Sequence, residues 1–183
     1  FDAAYPRAVN YGAIGMVMGH ELTHGFDDTG RKFAADGKLT EWWAPEVAER
    51  FDSEAACVIE QYDAMEIEPG LNVNGRLTLG ENIADLGGIQ MAYDAYQNWV
   101  ADAGSTESNL GGFSPEQQFF LAFAQGWCTL QTPESSRQRA ATDSHSPTGF
   151  RVNGPLSNTP AFAEAFQCEA GDAMVAENAC QVW

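Results

Sequence analysis

Residues 8–24 read Ala8-Val9-Asn10-Tyr11-Gly12-Ala13-Ile14-Gly15-Met16-Val17-Met18-Gly19-His20-Glu21-Leu22-Thr23-His24. The run is apolar until it reaches His20, which predicts a helix, with Gly25 as its C-terminal stop. Gly12, Gly15 and Gly19 each cost such a helix about 1 kcal/mol relative to Ala. A helix that keeps all three is expected to pack closely against a neighbour and to be buried. Positions i and i+4 share a helical face, so His20 and His24 can reach one ion. Glu21 projects beside them, where it can take a proton from a water activated by that ion. Two histidines and a glutamate in an apolar setting need a partner, and zinc supplies one.

A catalytic zinc takes three protein ligands and leaves a position open for water. The chain has three histidines, at 20, 24 and 145. The third ligand is therefore His145 or a carboxylate. The stretch Gly80-Glu81-Asn82-Ile83-Ala84-Asp85 lies on a helix expected from near Leu79 to about Ala101. Glu81 and Asp85, spaced i and i+4, share one face of it. Glu81 could ligate the metal while Asp85 accepts the free N–H of a ligand histidine and fixes its orientation. Taken without the histidine motif, the two acids read as an ordinary exposed pair. His145 sits in Thr142-Asp143-Ser144-His145-Ser146-Pro147, with Arg151 following. It reads either as a surface loop histidine or as a donor to an oxyanion formed during peptide hydrolysis.

Elsewhere the pattern is mostly helical. Residues 26–43 form a loop with turn signals at Asp27-Asp28-Thr29-Gly30 and Asp36-Gly37. A helix over 45–64 starts at Pro45 with Glu46 in its first turn. Residues 69–79 are loop and a possible short strand, and 109–113 a glycine-containing loop. Ser114-Pro115-Glu116-Gln117 opens a further helix with a capping box, running to roughly Leu130. A short helix near 133–141 and another over about 160–167 complete the pattern. The fold class expected is mainly α with a small β component.

The 183 residues suit one domain with a real core, and apolar types make up 44% of them. Twenty-six acids against nine bases give a formal charge of −17. Nucleic acid needs a basic footprint, so nucleic-acid partners are excluded, and anionic membrane surfaces are disfavoured. No apolar run approaches the roughly 20 residues of a membrane span, and no signal peptide is visible at Phe1. The abrupt start reads as that of a fragment. Cysteines 57, 128, 168 and 180 contain no C-x-x-C pair, so a cysteine zinc knuckle is not expected. Their number is compatible with disulfides in an oxidising compartment and equally with four buried thiols.

Beyond the zinc motif, several stretches fall in order along the chain. They are Asn10-Tyr11-Gly12-Ala13-Ile14-Gly15, Gly19-His20-Glu21-Leu22-Thr23-His24-Gly25-Phe26-Asp27-Asp28 and Gly80-Glu81-Asn82-Ile83-Ala84-Asp85. Phe119-Phe120, Trp127-Cys128, Asp143-Ser144-His145-Ser146-Pro147, Phe150-Arg151-Val152 and Cys180-Gln181-Val182-Trp183 follow. Together they resemble, over essentially the whole chain, the C-terminal catalytic portion of the neprilysin family of zinc endopeptidases (peptidase family M13). That family includes the endothelin-converting enzymes and bacterial oligopeptidase O.

The resemblance implies a thermolysin-like zincin core spanning residues 1–183, holding one zinc ion per chain. It implies His20, His24 and Glu81 as ligands and Glu21 as general base. It further implies Asp85 steadying His20, Asp27 steadying His24, His145 stabilising the transition state and Arg151 holding a substrate carbonyl. Met16, Val17 and Trp127 would line the pocket for a bulky hydrophobic residue after the cut bond, although Trp127 reads equally as a core aromatic. It implies a Cys57–Cys180 bond, with Cys128 and Cys168 paired to a capping N-terminal portion absent from these residues. Small peptides would be the substrates, in an extracytoplasmic location. A zinc-stabilised binding module without activity, and an acidic helical interaction domain without metal, are the competing readings.

Overall fold

The computed structural model describes residues 1–104 and 107–183. It is mainly helical with one small antiparallel hairpin, the class expected from the sequence. The apolar run begins as α1, Arg7–Asn10, passes through a π-helical stretch, Tyr11–Gly15, and continues as α2, Met16–Thr23. Both junctions keep right-handed helical angles, so the three pieces form one rod. A 3-10 turn, His24–Phe26, finishes it. Gly25 is not the left-handed stop the sequence suggested, since its φ is not positive. The rod ends instead at Asp27, which turns extended because its carboxylate accepts the amides of Thr29 and Gly30 and starts a new turn.

Helix α3, Pro45–Asp63, precedes the hairpin of β1, Glu66–Glu68, and β2, Leu71–Asn72. Helix α4, Leu79–Ala103, ends where Gly104 adopts φ 62°. Helix α5, Pro115–Gly126, opens with the expected capping box: the Ser114 hydroxyl accepts the Gln117 amide and the Gln117 side chain accepts that of Ser114. It ends short of Leu130, whose side chain is fully exposed and gains nothing from helical packing. Helices α6, Pro133–Thr142, and α8, Pro160–Phe166, lie where expected.

Between them runs α7, Thr148–Ser157, which the sequence did not signal. Gly149, Gly154 and the internal Pro155 argue against a helix there. Tertiary contact overrides them: Gly154 sits so tightly on the Tyr62 ring that a Cβ would overlap its hydroxyl.

Two apolar clusters form the core. One gathers Met16 of α2, Ile89 and Tyr96 of α4, and Phe119, Phe120 and Phe123 of α5. The other gathers Phe51, Val58 and Tyr62 of α3 with Leu79 and Ile83 of α4. Cys57 is bonded to Cys180 beside the second cluster. Among the described residues, no helix is long and apolar enough to cross a membrane.

The crossing of α2 and α4 positions everything that follows. A Cβ on Gly88 would lie 2.7 Å from the His20 amide nitrogen, and one on Gly19 would lie 2.8 Å from the Gly88 carbonyl oxygen. Gly87 gives the same room to the Thr23 side chain. Gly12 touches the backbone of α5 at Phe119 in the same manner. Gly15 does not: the atoms nearest a Cβ there belong to Asn10 and Tyr11 of the same rod, at an ordinary 3.7 Å. Nor is the rod buried all round: Ile14, Val17, Met18 and Leu22 are exposed along one side.

Opposite signs are expected for two alanine substitutions in urea unfolding. Gly88→Ala should lose about 1–3 kcal/mol, because overpacking against backbone outweighs the helix-propensity gain. Gly15→Ala should gain up to about 1 kcal/mol. Equal gains at both positions would show that the two helices do not need the close approach.

Candidate metal centre

Because α2 and α4 cross at glycines, the side chains just beyond the crossing meet. His20, at the end of α2, and His24, one turn on, face Glu81 on the first turn of α4. One ligand atom from each of the three lies within 4.8 Å of the others. Glu81 Oε2 is 3.3 Å from His20 Nε2 and 3.7 Å from His24 Nε2.

Carboxylates fix both imidazoles from behind. Asp85 accepts from His20 Nδ1 at 2.8 Å, and Asp27 accepts from His24 Nδ1 at 2.7 Å. With Nδ1 as the donor in each ring, both Nε2 atoms carry lone pairs. Those two Nε2 atoms stand 3.0 Å apart. At that distance two lone pairs repel unless a cation, whether a proton or a metal, sits with them. Glu81 Oε2 is itself buried and has no hydrogen-bond partner. Two imidazole lone pairs and an orphaned carboxylate oxygen aimed at one place form the donor set zinc prefers, so these residues fit the metal.

The electrostatics agree. Burial pushes the His20 pKa down, but the Asp85 carboxylate bonded to the ring and the Glu81 carboxylate close to it outweigh burial and raise the value to about 9. Burial also favours the neutral form of Glu81, yet His20 beside it and the nearby His145, His24 and Arg151 side chains hold its carboxyl below the ordinary value. Without a metal, the pocket keeps a proton where an ion would go.

The remaining predicted residues fall around this group. His145 Nε2 is 3.2 Å from Glu81 Oε2, and its Nδ1 and backbone amide are both held by Asp143. Arg151 is largely buried. It grips Asp85 with Nε and Nη2 at 2.8 and 2.7 Å, and the Trp127 ring lies 3.9 Å over its guanidinium carbon. Its first partner is thus Asp85, and only Nη1 is outside these bonds.

Trp127 accordingly serves the Arg151 face and the edge of the first core cluster together. Val17 is exposed, as a pocket wall requires, whereas Met16 is 2% exposed and belongs to the core. Met16 packs in the first core cluster with Ile89 and Phe119, while Val17 stands on the exposed side of the rod. Glu21, next to His20 on α2, is exposed. A cavity of about 230 Å³, lined in part by His24, Asp27, Arg76 and Glu81, opens next to the group. Larger hollows on the outer side of α4 do not reach it.

Two ties have no counterpart in the sequence reading. Ser146 is fully buried and donates its hydroxyl to Asn82 Oδ1 at 2.8 Å, fastening the His145 loop to the ligand helix. Asp143 orients His145. Both residues stand in motifs already singled out, but nothing in the spelling of Asp143-Ser144-His145-Ser146-Pro147 says which neighbour each will meet.

Comparison with known proteins places this arrangement. The family model for Peptidase family M13 matches residues 1–182. Endothelin-converting enzyme 1 of Cavia porcellus is 51% identical over 184 residues, covering 100% of this chain and 24% of that protein. Neprilysin-1 of Caenorhabditis elegans is 48% identical, covering 100% and 25%. The chain thus spans about a quarter of the length of these relatives. Among solved structures, the Mycobacterium tuberculosis zinc metalloprotease Zmp1 in complex with an inhibitor superposes with a TM-score of 0.93 at 39% identity, covering 100% of this chain and 28% of that one. PepO from a Lactobacillus superposes with a TM-score of 0.84 at 31% identity, covering 97% and 26%.

A raised histidine pKa fixes the sign of a pH effect. Metal-free protein should draw stability from protonated His20 in full below pH 6.5 and lose it as pH rises through about 9. Zinc must displace that proton, so calorimetry in buffers of different ionisation enthalpy should record about one proton released per zinc near pH 7. The release should vanish above pH 10. Uptake with no proton exchange at pH 7 would contradict the His20 assignment.

Proposed function

The chain belongs to peptidase family M13, and we propose that it is the zinc-binding catalytic portion of an endopeptidase. It would hydrolyse small peptides on the amino side of bulky hydrophobic residues. The observation that carries this reading is the convergence of His20 Nε2, His24 Nε2 and the orphaned Glu81 Oε2, with Glu21 of the same H-E-x-x-H helix exposed beside them. His20, His24 and Glu81 would hold one zinc per chain. When bound, zinc supplies a Lewis acid that lowers the pKa of a water and polarises the scissile carbonyl.

The chain's own residues divide the remaining work. Glu21 accepts the proton of the attacking water and passes it to the leaving amine. His145, held through Nδ1 by Asp143, presents Nε2 to the oxyanion that develops on the substrate. Asp85 and Asp27 keep the ligand imidazoles in the tautomer that leaves Nε2 free. Arg151, braced by Asp85, offers Nη1 to a substrate carbonyl. Val17, and the edge of Trp127, give an apolar wall to the side chain following the cut bond.

The relatives' greater length supports a further N-terminal portion of the same polypeptide as a partner that caps the cleft. The Cys57–Cys180 bond supports an oxidising, extracytoplasmic setting.

Glu21→Gln tests the reading by separating metal binding from chemistry. Zinc content should stay near one per chain, while cleavage of a peptide bearing Phe or Leu after the scissile bond should fall by about 10²–10⁴. Glu81→Gln should instead weaken zinc retention. Unchanged cleavage in Glu21→Gln would rule out this residue as the base.

A further inference from the structure

Asp27 is buried 2.7 Å from His24, yet it follows a single 3-10 turn whose residues Gly25 and Phe26 are exposed. Residues 24–31 rest on an aromatic platform made by Trp43, Phe51 and Trp183. Two footings reach it. Arg31, whose amide donates to the Asp27 carbonyl, lays its guanidinium over Phe51 at 4.7 Å and Trp43 at 5.5 Å. Phe26, the last residue of the turn and the one before Asp27, stands edge-on to Trp183 at 6.4 Å. Trp183 in turn packs on Phe51 at 5.6 Å and Trp43 at 6.1 Å. No other aromatic ring pairs with Phe26 among the described residues.

Trp183 is placed by a clamp three residues earlier. Cys180 is bonded to Cys57 of α3, and its amide donates to Asn158 Oδ1 at 3.0 Å. Asn158 exchanges two hydrogen bonds with Gln61 of α3. The disulfide and this amide pair hold residue 180 against α3, so Gln181-Val182-Trp183 can reach only the ground next to it.

We infer that Trp183 is a positioning residue for the metal centre: it holds Phe26, and through it the Asp27 carboxylate, against His24. The inference rests on the zinc reading above. Aromatic edge-to-face contact is directional, so a ring at position 183 fixes the side from which Phe26 approaches. Losing a carboxylate partner of a ligand histidine costs about 10–100-fold in metal affinity, and a residue one contact further out should cost less.

The test is zinc release into a chelator, measured at a temperature where every variant is folded. Trp183→Ala should release zinc about three- to tenfold faster than the parent, and Trp183→Phe should recover most of the difference. Phe26→Leu should approach the Trp183→Ala rate, and combining the two should add little. Removing the clamp with Cys57→Ala and Cys180→Ala should accelerate release in the same direction. Phe123→Leu, in the other core cluster, provides a variant with lowered thermal stability and intact residues 24–31.

Parent-like release from Trp183→Ala, or equal acceleration in Phe123→Leu, overturns the inference while leaving the zinc site standing. A parent that holds no zinc, or whose zinc is indifferent to Glu81→Gln, overturns both.

Discussion

The backbone contact between α2 and α4 is the constraint on which the rest of the structure depends. Gly19 and Gly88 stand against one another with no room for a methyl group. That closeness decides whether the first turn of α4 can bring Glu81 to the imidazoles of α2. A side chain at either position would push the rods apart by more than the tolerance of a metal site, where ligand atoms must sit within about 0.2 Å of their distances. The glycines weaken each helix on its own, by about 1 kcal/mol apiece. The crossing they permit offsets that cost by burying the faces of both rods. Glycine here is a packing residue, used at φ values any residue could adopt.

Beyond the crossing, charge does the organising. Asp85 is fully buried and would be costly there without partners. It has His20 on one oxygen and Arg151 on both. Arg151 is equally buried and is faced by Trp127, so the pair is satisfied and shielded together. Breaking such a pair from one side leaves an unpaired buried charge, which is far more damaging than never having had it. His20 is therefore oriented by a carboxylate that cannot move, because the arginine behind it cannot move either. His24 is held differently, by Asp27, a buried carboxylate just beyond an exposed turn, whose other oxygen accepts the amides of Thr29 and Gly30.

How far the sequence disclosed this varies with the range of the interaction. Helices with local signals were readable: Pro45 opens α3, and Ser114 with Gln117 opens α5. So was the convergence of His20, His24, Glu81 and Asp85, because His20 to His24 and Glu81 to Asp85 are each one helical turn apart. Helix α7 was hidden, since Gly149, Gly154 and Pro155 speak against it and only Tyr62, far away in the chain, speaks for it. The direction of Met16 was likewise out of reach. Helical spacing puts it near Val17, but which of the two faces Phe119 depends on where α5 docks. Arg151 was recognised as important for a contact with substrate, while its strongest partners proved to be Asp85 and Trp127. Local periodicity names the residues; docking of distant elements assigns what they touch.

His145 shows how a loop residue can share the precision of a helix. Loops vary more in position than the rods they connect, and a side chain 1 Å out of place loses much of any effect it has on a bound molecule. Here the loop has no independent freedom at its critical point. Ser146, next to His145, is buried and bonded to Asn82, which neighbours Glu81 on α4. Asn82 is in turn fixed by Thr78 one turn earlier. Asp143 then sets the ring itself. The position of His145 is thus referred to the same helix that carries Glu81, and that helix is referred to α2 by the glycine crossing. One rigid pair of helices is enough to register the converging donor atoms of His20, His24 and Glu81, the Asp85 carboxylate and the loop histidine.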